Sequence, residues 1–186
     1  MDAVAKPFPE VSFPNGEQRP SLGLGTWRFG EAADRRAAEL ASLRQALEMG
    51  WRVVDTAEMY GNEDAVGAGI AASGVQREEI FLTTKVWYDK PRGAEIRAAF
   101  EASLARLGTP YVDLLLIHWP SPELDLPDAL AMLAALRAEG LARAIGVSNF
   151  PAGLLKRAIA EKRGLACLQV ECHVLLDQSA LRDICV

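Results

Sequence analysis

Short apolar runs alternate regularly with longer amphipathic stretches in this sequence, at intervals of about 30 residues. The apolar runs have the length and composition of β-strands and cover residues 22–26, 52–55, 80–85, 112–118, 144–148 and 168–171. The amphipathic stretches carry apolar residues at helical spacing, most clearly at Ile96, Phe100, Leu104 and Leu107. Strict alternation of strand and helix predicts an α/β fold built on a parallel sheet.

Two architectures share this alternation, an open doubly wound sheet and a barrel of the (β/α)8 (TIM) type. An open dinucleotide-binding sheet normally carries a Gly-x-Gly-x-x-Gly turn after its first strand. Gly23 and Gly25 follow the first strand, but Arg28 occupies the third position. A variant of the pattern begins at Gly67, inside a helical stretch, where we interpret the spacing as accidental. The alternation by itself does not choose between the two architectures.

The length of the chain bears on the barrel interpretation, because a (β/α)8 barrel usually needs about 250 residues and this sequence has 186. We expect a single domain over residues 1–186 that is incomplete at its C-terminus. It would supply an N-terminal hairpin, turned at Asn15-Gly16, and about six βα units. The first and sixth strands would then keep open edges, through which the isolated chain is expected to self-associate.

Composition excludes several classes of function. There are 20 Lys and Arg residues against 25 Asp and Glu, a net charge of −5, whereas binding to nucleic acid normally needs a basic face. No apolar run reaches the roughly 20 residues of a membrane-spanning helix, and residues 1–10 lack the features of a secretory signal, so we expect a cytoplasmic protein. The three cysteines (Cys167, Cys172 and Cys185) are too few for a disulfide framework. With only two histidines, no metal site is expected.

Ionisable and amide side chains follow several of the predicted strands. Asp55, Lys85, His118 and Asn149 each fall at or just past the C-terminal end of a strand, and Tyr60 lies in the loop after Asp55. In a parallel barrel these strand ends open onto one face, where active sites are built. Taken singly, each residue is more typical of a salt bridge or a capped core position, so the argument rests on their convergence.

Together these side chains suit protonation of a carbonyl oxygen. A tyrosine hydroxyl has a pKa near 10 and is a poor acid at neutral pH. We expect the Lys85 ammonium to lower the pKa of Tyr60, and Asp55 to hold that ammonium and offset its burial. His118 would hydrogen-bond the carbonyl oxygen and fix its orientation. A separate hydride donor would complete the reduction.

Aromatic and amide residues extend the predicted site. Three of the strands are followed, within a residue or two, by a tryptophan: Trp27, Trp87 and Trp119. We predict that these side chains line the rim of the site as an apolar wall for a small substrate or a flat cofactor ring. The alternative is that they pack the loops over the barrel mouth. Ser148, with Asn149 and Gln169, offers partners for a nicotinamide carboxamide. Ser148-Asn149 is equally typical of a helix cap.

At these residues the sequence strongly resembles the aldo-keto reductase family. The matching stretches are residues 22–27, 52–63, 83–87, 111–120 and 145–150, and they are long, ordered and correctly spaced. The run at 117–122 is most similar to bacterial 2,5-diketogluconate and methylglyoxal reductases of that family. The resemblance implies a (β/α)8 barrel and favours it over the open sheet.

The resemblance also implies roles for individual residues. Tyr60 would be the proton donor, Lys85 and Asp55 would lower its pKa, and His118 would orient the carbonyl. The substrate pocket would be shaped by Trp27, Trp87 and Trp119, together with His118. The cofactor would be NADPH, with NADH not excluded, and its predicted binding residues are Thr26, Asp55, Ser148, Asn149 and Gln169. The predicted reaction is reduction of small aldehydes, ketones or dicarbonyls to alcohols.

The sequence also departs from the family pattern. After Glu171-Cys172-His173 the family often continues Pro-Tyr, whereas this chain has Val174-Leu175. The family's seventh and eighth strands, with the residues that hold the 2′-phosphate, have no counterpart, so the preference for NADPH rests on the resemblance. A second interpretation is therefore a non-catalytic truncated barrel that acts as an interaction or regulatory subunit.

Overall fold

The computed structural model describes residues 9–12, 18–32 and 34–185. It begins with a short antiparallel pair, β1 (Glu10–Ser12) and β2 (Gln18–Pro20), in which Val11 lies opposite Arg19. The turn predicted at Asn15-Gly16 lies outside the described residues.

Six parallel strands form the main sheet, and their order in the sheet follows their order in the chain. They are β3 (Leu24–Gly25), β4 (Val53–Asp55), β5 (Phe81–Val86), β6 (Val112–Ile117), β7 (Ala142–Ser148) and β8 (Cys167–Gln169). An open doubly wound sheet reverses its strand order at a switch point, whereas a barrel does not. The sheet is curled and forms part of a (β/α)8 barrel, which confirms the predicted fold class.

The helices follow the strands in the predicted alternation. They are α1 (Arg36–Glu48), α2 (Glu63–Ala72), α3 (Gly93–Leu107), α4 (Leu126–Ala138), α5 (Ala152–Ala160) and α6 (Ser179–Cys185). Two short 3-10 turns, Glu58–Tyr60 and Arg77–Glu79, lie after β4 and before β5. Among the described residues, no helix is long and apolar enough to cross a membrane.

The main hydrophobic core lies between the sheet and the helices. The stripe predicted on α3 is buried there, with Phe100 fully inaccessible. All six residues of β6 are buried, as the apolar run indicated. A smaller cluster of Phe81, Leu114 and Leu116 fills the inner face of the sheet. Strands covered on both faces are held firmly, and this fixes the positions of the strand ends that carry polar groups.

Two asparagines next to helix N-termini, Asn62 and Asn149, use their side chains for tertiary contacts. Asn62 does precede α2, but its side-chain amide donates to the carbonyls of Thr26, at 2.8 Å, and Phe29, at 2.9 Å, instead of capping the helix. Asn149 does not cap α5, since Pro151 is the residue that precedes this helix. Asn149 adopts a left-handed backbone with φ of 59°, a conformation that asparagine tolerates better than most residues.

The glycine pattern inside α2 has a packing explanation. A Cβ atom on Gly67 would lie 2.3 Å from the carbonyl oxygen of Leu107, at the end of α3. The two helices approach this closely only because residue 67 has no side chain. Gly67 therefore serves helix packing, which agrees with the interpretation of the pattern as accidental.

Candidate active site

A buried ion pair lies at the C-terminal edge of the sheet. The Lys85 ammonium, at the end of β5, donates to the Asp55 carboxylate at the end of β4, and also to the carbonyl oxygen of Thr56 at 3.0 Å. Lys85 is 1% exposed. The other Asp55 carboxylate oxygen accepts from the Gln169 amide of β8 at 2.9 Å. This edge of the sheet thus brings together residues 114 positions apart in sequence.

Tyr60 stands above this pair. It ends the 3-10 turn after β4, and the chain then turns away through Gly61, whose φ of 65° is in the left-handed region that favours glycine. The Lys85 ammonium lies 5.2 Å from the centroid of the Tyr60 ring, within the range of a cation–π contact. The phenol is half-buried, and its ring meets the His118 imidazole edge-on with centroids 5.6 Å apart.

His118, directly after β6, is buried between Tyr60 and Trp87. Its ring lies 5.1 Å from that of Trp87, centroid to centroid. Burial, and then the nearby Lys85 charge, lower the pKa of His118 to about 4. The imidazole is therefore neutral near neutral pH and can donate one hydrogen bond. Its Nδ1 atom is buried and has no hydrogen-bond partner among the described residues.

The acidity of Tyr60 differs from the expectation. Burial, and then the charge of Asp55, raise the pKa of Tyr60 to about 12. Burial also lowers the pKa of Lys85, against the opposing effect of Asp55. The prediction that Lys85 brings the pKa of Tyr60 below its ordinary value is wrong for this structure, because burial disfavours the phenolate and the nearby Asp55 charge disfavours it further.

The predicted amide-binding residues Ser148, Asn149 and Gln169 lie together at the same cavity. The Asn149 side-chain nitrogen donates to the carbonyl oxygen of His118 at 2.9 Å and to the Ser148 hydroxyl at 3.0 Å. The Asn149 backbone N–H donates to the carbonyl of Gln169. Thr26 is placed differently: it is fully buried, and its hydroxyl donates to the backbone carbonyl of Asp55 at 3.1 Å. Thr26 therefore supports the end of β4 from within the fold.

These groups open onto a cavity of about 570 Å³. It is lined by Trp27, Met59, Tyr60, Trp87, His118, Trp119, Ser148, Asn149, Gln169, Val170 and Glu171. Ligand pockets for small molecules span roughly 300–1,000 Å³. All three predicted tryptophans belong to the lining, where Trp27 is largely exposed and Trp119 is about half exposed.

Three residues that line the cavity were not predicted as site residues from the sequence: Met59, Val170 and Glu171. Nor was Glu58, which contacts the cavity-lining residue Trp87. Glu58 accepts a hydrogen bond from the Trp87 backbone N–H. Glu58 and Met59 are the neighbours of Tyr60 in sequence, so the loop position of Tyr60 was a usable signal for them. Val170 and Glu171 follow β8, as Asn149 follows β7, and the same strand-end rule applies to them.

Comparison with known proteins identifies the relationship. The model of the aldo/keto reductase family matches residues 21–186. The chain belongs to the aldo-keto reductase family. An aldo-keto reductase of Mycobacterium sp. (strain KMS) is 42% identical over 179 residues, which are 95% of this chain and 63% of that protein. The methylglyoxal reductase DkgB of Escherichia coli O157:H7 is 43% identical over 143 residues, which are 76% of this chain and 52% of the relative.

Solved structures of other aldo-keto reductases have the same fold. An aldo/keto reductase from Brucella melitensis superposes with a TM-score of 0.84 at 38% identity, covering 97% of this chain and 68% of that one. The Bombyx mori aldo-keto reductase in complex with NADP gives a TM-score of 0.85 at 34% identity, covering 96% of this chain and 62% of that one. The chain spans less than two thirds of the length of the curated relatives that it matches.

Proposed function

We propose that the protein catalyses NADPH-dependent reduction of small aldehydes and ketones to alcohols, with Tyr60 as the proton donor. The observation that carries the proposal is the convergence of Tyr60, His118 and the Lys85–Asp55 pair at one mouth of the barrel. Relatives named as aldo-keto and methylglyoxal reductases support the same class of reaction.

The protein's part in the reaction is to orient the carbonyl and to protonate its oxygen. Neutral His118 donates a hydrogen bond that holds the carbonyl oxygen near Tyr60. With a pKa raised to about 12, the Tyr60 hydroxyl is protonated at neutral pH, as an ordinary phenol is, so the proton is in place before the reaction starts. As negative charge develops on the carbonyl oxygen, that proton transfers to it. The Lys85 ammonium beneath the ring then stabilises the phenolate that remains.

The residues at the cavity wall fit a nicotinamide. A carboxamide needs both donors and acceptors, and the Ser148 hydroxyl with the side-chain amides of Asn149 and Gln169 supplies both kinds. When bound, NADPH supplies the hydride that reduces the carbonyl carbon. In this assignment Thr26 acts indirectly, because its hydroxyl holds the backbone of Asp55. The NADP-bound Bombyx mori structure supports the choice of cofactor.

The cavity favours a compact substrate. Trp27, Trp87 and Trp119 provide apolar surface around the polar centre formed by Tyr60 and His118. A small aldehyde or dicarbonyl can place its reacting oxygen at that centre while its carbon skeleton contacts the indoles. Methylglyoxal is a suitable first test substrate, since it appears in the name of a relative that is 43% identical.

The test compares Tyr60→Phe with Tyr111→Phe, which removes a phenol hydroxyl near the start of β6, at the opposite end of that strand from His118. Tyr60→Phe is expected to lower turnover by at least about a hundredfold, the size of a lost general acid. Binding of NADPH, measured by quenching of tryptophan fluorescence, should survive. Tyr111→Phe should keep normal turnover. Normal turnover in Tyr60→Phe would rule out the proton-donor assignment.

A second proposal concerns the edges of the sheet. Among the described strands, β3 pairs on one side with β4, and β8 on one side with β7. Beyond β8, the side chains of Val174 and Leu175 are exposed. Unpaired strand edges and exposed apolar side chains favour association, so we infer that the chain self-associates. Sedimentation should give a mass above that of one chain at micromolar concentration, and a compact monomer over the whole concentration range would refute the proposal.

A further inference from the structure

The carboxylate of Glu58 has two partners on the loop that follows β5. Its Oε2 atom accepts a hydrogen bond from the backbone N–H of Trp87 at 3.0 Å. Its Oε1 atom lies 3.3 Å from the Lys90 ammonium. Both side chains are partly buried, since that of Glu58 is 21% exposed and that of Lys90 25%. The Lys90 ammonium also pairs with the exposed carboxylate of Asp89, its neighbour in the loop.

These contacts complete a ring of interactions that includes the candidate catalytic tyrosine, Tyr60. Glu58 begins the turn that Tyr60 ends. The Tyr60 ring meets the His118 ring, and the His118 ring meets that of Trp87. The Trp87 backbone N–H returns to the Glu58 carboxylate. The relative placement of Tyr60 and His118 is thus determined by side-chain packing on one side and by the Glu58 hydrogen bond on the other.

The turn that carries Tyr60 needs such an attachment. It has three residues, and its own backbone hydrogen bonds run from Tyr60 N–H to the Ala57 carbonyl and from Gly61 N–H to the Glu58 carbonyl, both at 3.1 Å. One isolated turn of this kind holds its shape weakly in water. A bond from its first residue to Trp87, which directly follows the fully buried strand β5, ties the turn to the rigid part of the fold.

We propose that Glu58 is a positioning residue for Tyr60: it holds the turn Glu58–Tyr60 against the loop after β5 and so fixes the Tyr60 hydroxyl relative to His118. This role rests on the proposed reductase function. Displacement of a reacting group by about 1 Å costs up to about a hundredfold in rate. Glu58 affects turnover through this placement, without contacting the substrate.

Three variants separate the hydrogen bond from the charge. Glu58→Ala removes both the acceptor for the Trp87 N–H and the ion pair with Lys90. Glu58→Gln keeps an amide oxygen as acceptor but removes the charge. Lys90→Met keeps the carboxylate and removes its cation. Glu78→Ala is the matched control, because Glu78 is an exposed carboxylate in the other 3-10 turn, Arg77–Glu79, before β5.

Two kinds of measurement are made on each full-length variant. The first is kcat and KM for NADPH-dependent reduction of methylglyoxal. The second does not depend on turnover: amide hydrogen exchange at Trp87 and the NMR shifts of the His118 ring protons, which report the ring of Tyr60 nearby. Thermal melting of each variant is recorded, so that general loss of structure is recognised.

Glu58→Ala is expected to lower kcat at least about tenfold with little change in KM, to speed Trp87 exchange by about tenfold, and to move the His118 shifts. Glu58→Gln should restore kcat to within about threefold of the original and keep Trp87 largely protected, since a neutral acceptor still makes a hydrogen bond of about half the strength. Lys90→Met should resemble Glu58→Gln, and Glu78→Ala should match the unsubstituted protein.

The outcomes distinguish failure of the positioning role of Glu58 from failure of the proposed reductase function. If the unsubstituted protein reduces methylglyoxal and Glu58→Ala does so equally well, the positioning role is wrong and the reductase function stands. If Glu58→Gln is as impaired as Glu58→Ala, the charge matters and the hydrogen bond does not, which also overturns the proposal. If the unsubstituted protein has no activity, the proposed function fails. Unchanged Trp87 exchange and His118 shifts in Glu58→Ala would then refute the attachment by themselves.

Discussion

Replacement of His118 by glutamine is predicted to remove a specific pH dependence of stability. The pKa of His118 is lowered from its ordinary value of 6.5 to about 4 by burial and by the Lys85 charge. In the unfolded chain the imidazole binds a proton as the pH falls through about 6.5, whereas in the folded chain it stays neutral until about pH 4. Folding stability attributable to this group is therefore complete above the unfolded pKa and is lost on acidification.

The size of the effect follows from the shift. Each pKa unit corresponds to about 1.4 kcal/mol, so the shift of His118 from 6.5 to about 4 predicts a loss of about 3 kcal/mol between neutral pH and about pH 4. His118→Gln has no group that titrates at this position. The difference in unfolding free energy between the two proteins should thus change by about 3 kcal/mol over that range, in favour of the variant at low pH.

Urea unfolding followed by tryptophan fluorescence measures this difference at a series of pH values and constant ionic strength. Carboxylates that titrate near pH 4 are present in both proteins and cancel in the comparison, as does the exposed histidine, His173. Parallel stability curves for the two proteins would refute the argument. They would mean that folded His118 takes up its proton at an ordinary pKa, and that burial and Lys85 do not keep the imidazole neutral.

Three further substitutions test the packing of the helices and the ion pair of Glu63. Gly67→Ala should destabilise the protein by about 1–3 kcal/mol in urea unfolding, because the new Cβ would lie 2.3 Å from the Leu107 carbonyl oxygen. Gly153→Ala in α5 is the matched control: nothing lies within 4 Å of its new Cβ, so it should instead stabilise the protein by about 0.5–1 kcal/mol. Arg106→Leu should cost about 3–5 kcal/mol, since it leaves the fully buried Glu63 carboxylate without its cation, 2.6 Å away. A melting temperature unchanged in Gly67→Ala, or in Arg106→Leu, would contradict the corresponding argument.

The strands and the place where the site forms could be predicted from sequence because both follow from local patterns. The apolar run of β6 is buried along its whole length, and apolarity of that kind is visible without a structure. Once the strands are parallel, the topology places Asp55, Lys85 and His118 at one edge. The convergence of these three residues was therefore accessible from the sequence.

Other features depended on contacts that local sequence does not reveal. Asn149 has a good capping side chain, but its amide is used by the carbonyl of His118 on the neighbouring strand end, and this tertiary contact outweighed the local preference. The pKa of Tyr60 depends on how deeply the phenol is buried and on how close it lies to the Asp55 charge. Glu58 gains its role from the Trp87 N–H, which is 29 residues away in the chain.

Reduction of methylglyoxal by the purified chain in the presence of NADPH is the decisive test of the proposed function. NADPH should quench tryptophan fluorescence saturably, through the indoles of Trp27 and Trp87 at the cavity wall. Addition of methylglyoxal should then oxidise one NADPH for each alcohol formed. A folded sample that binds NADPH but never oxidises it, or that does not bind it at all, would contradict the assignment of this site as a carbonyl reductase.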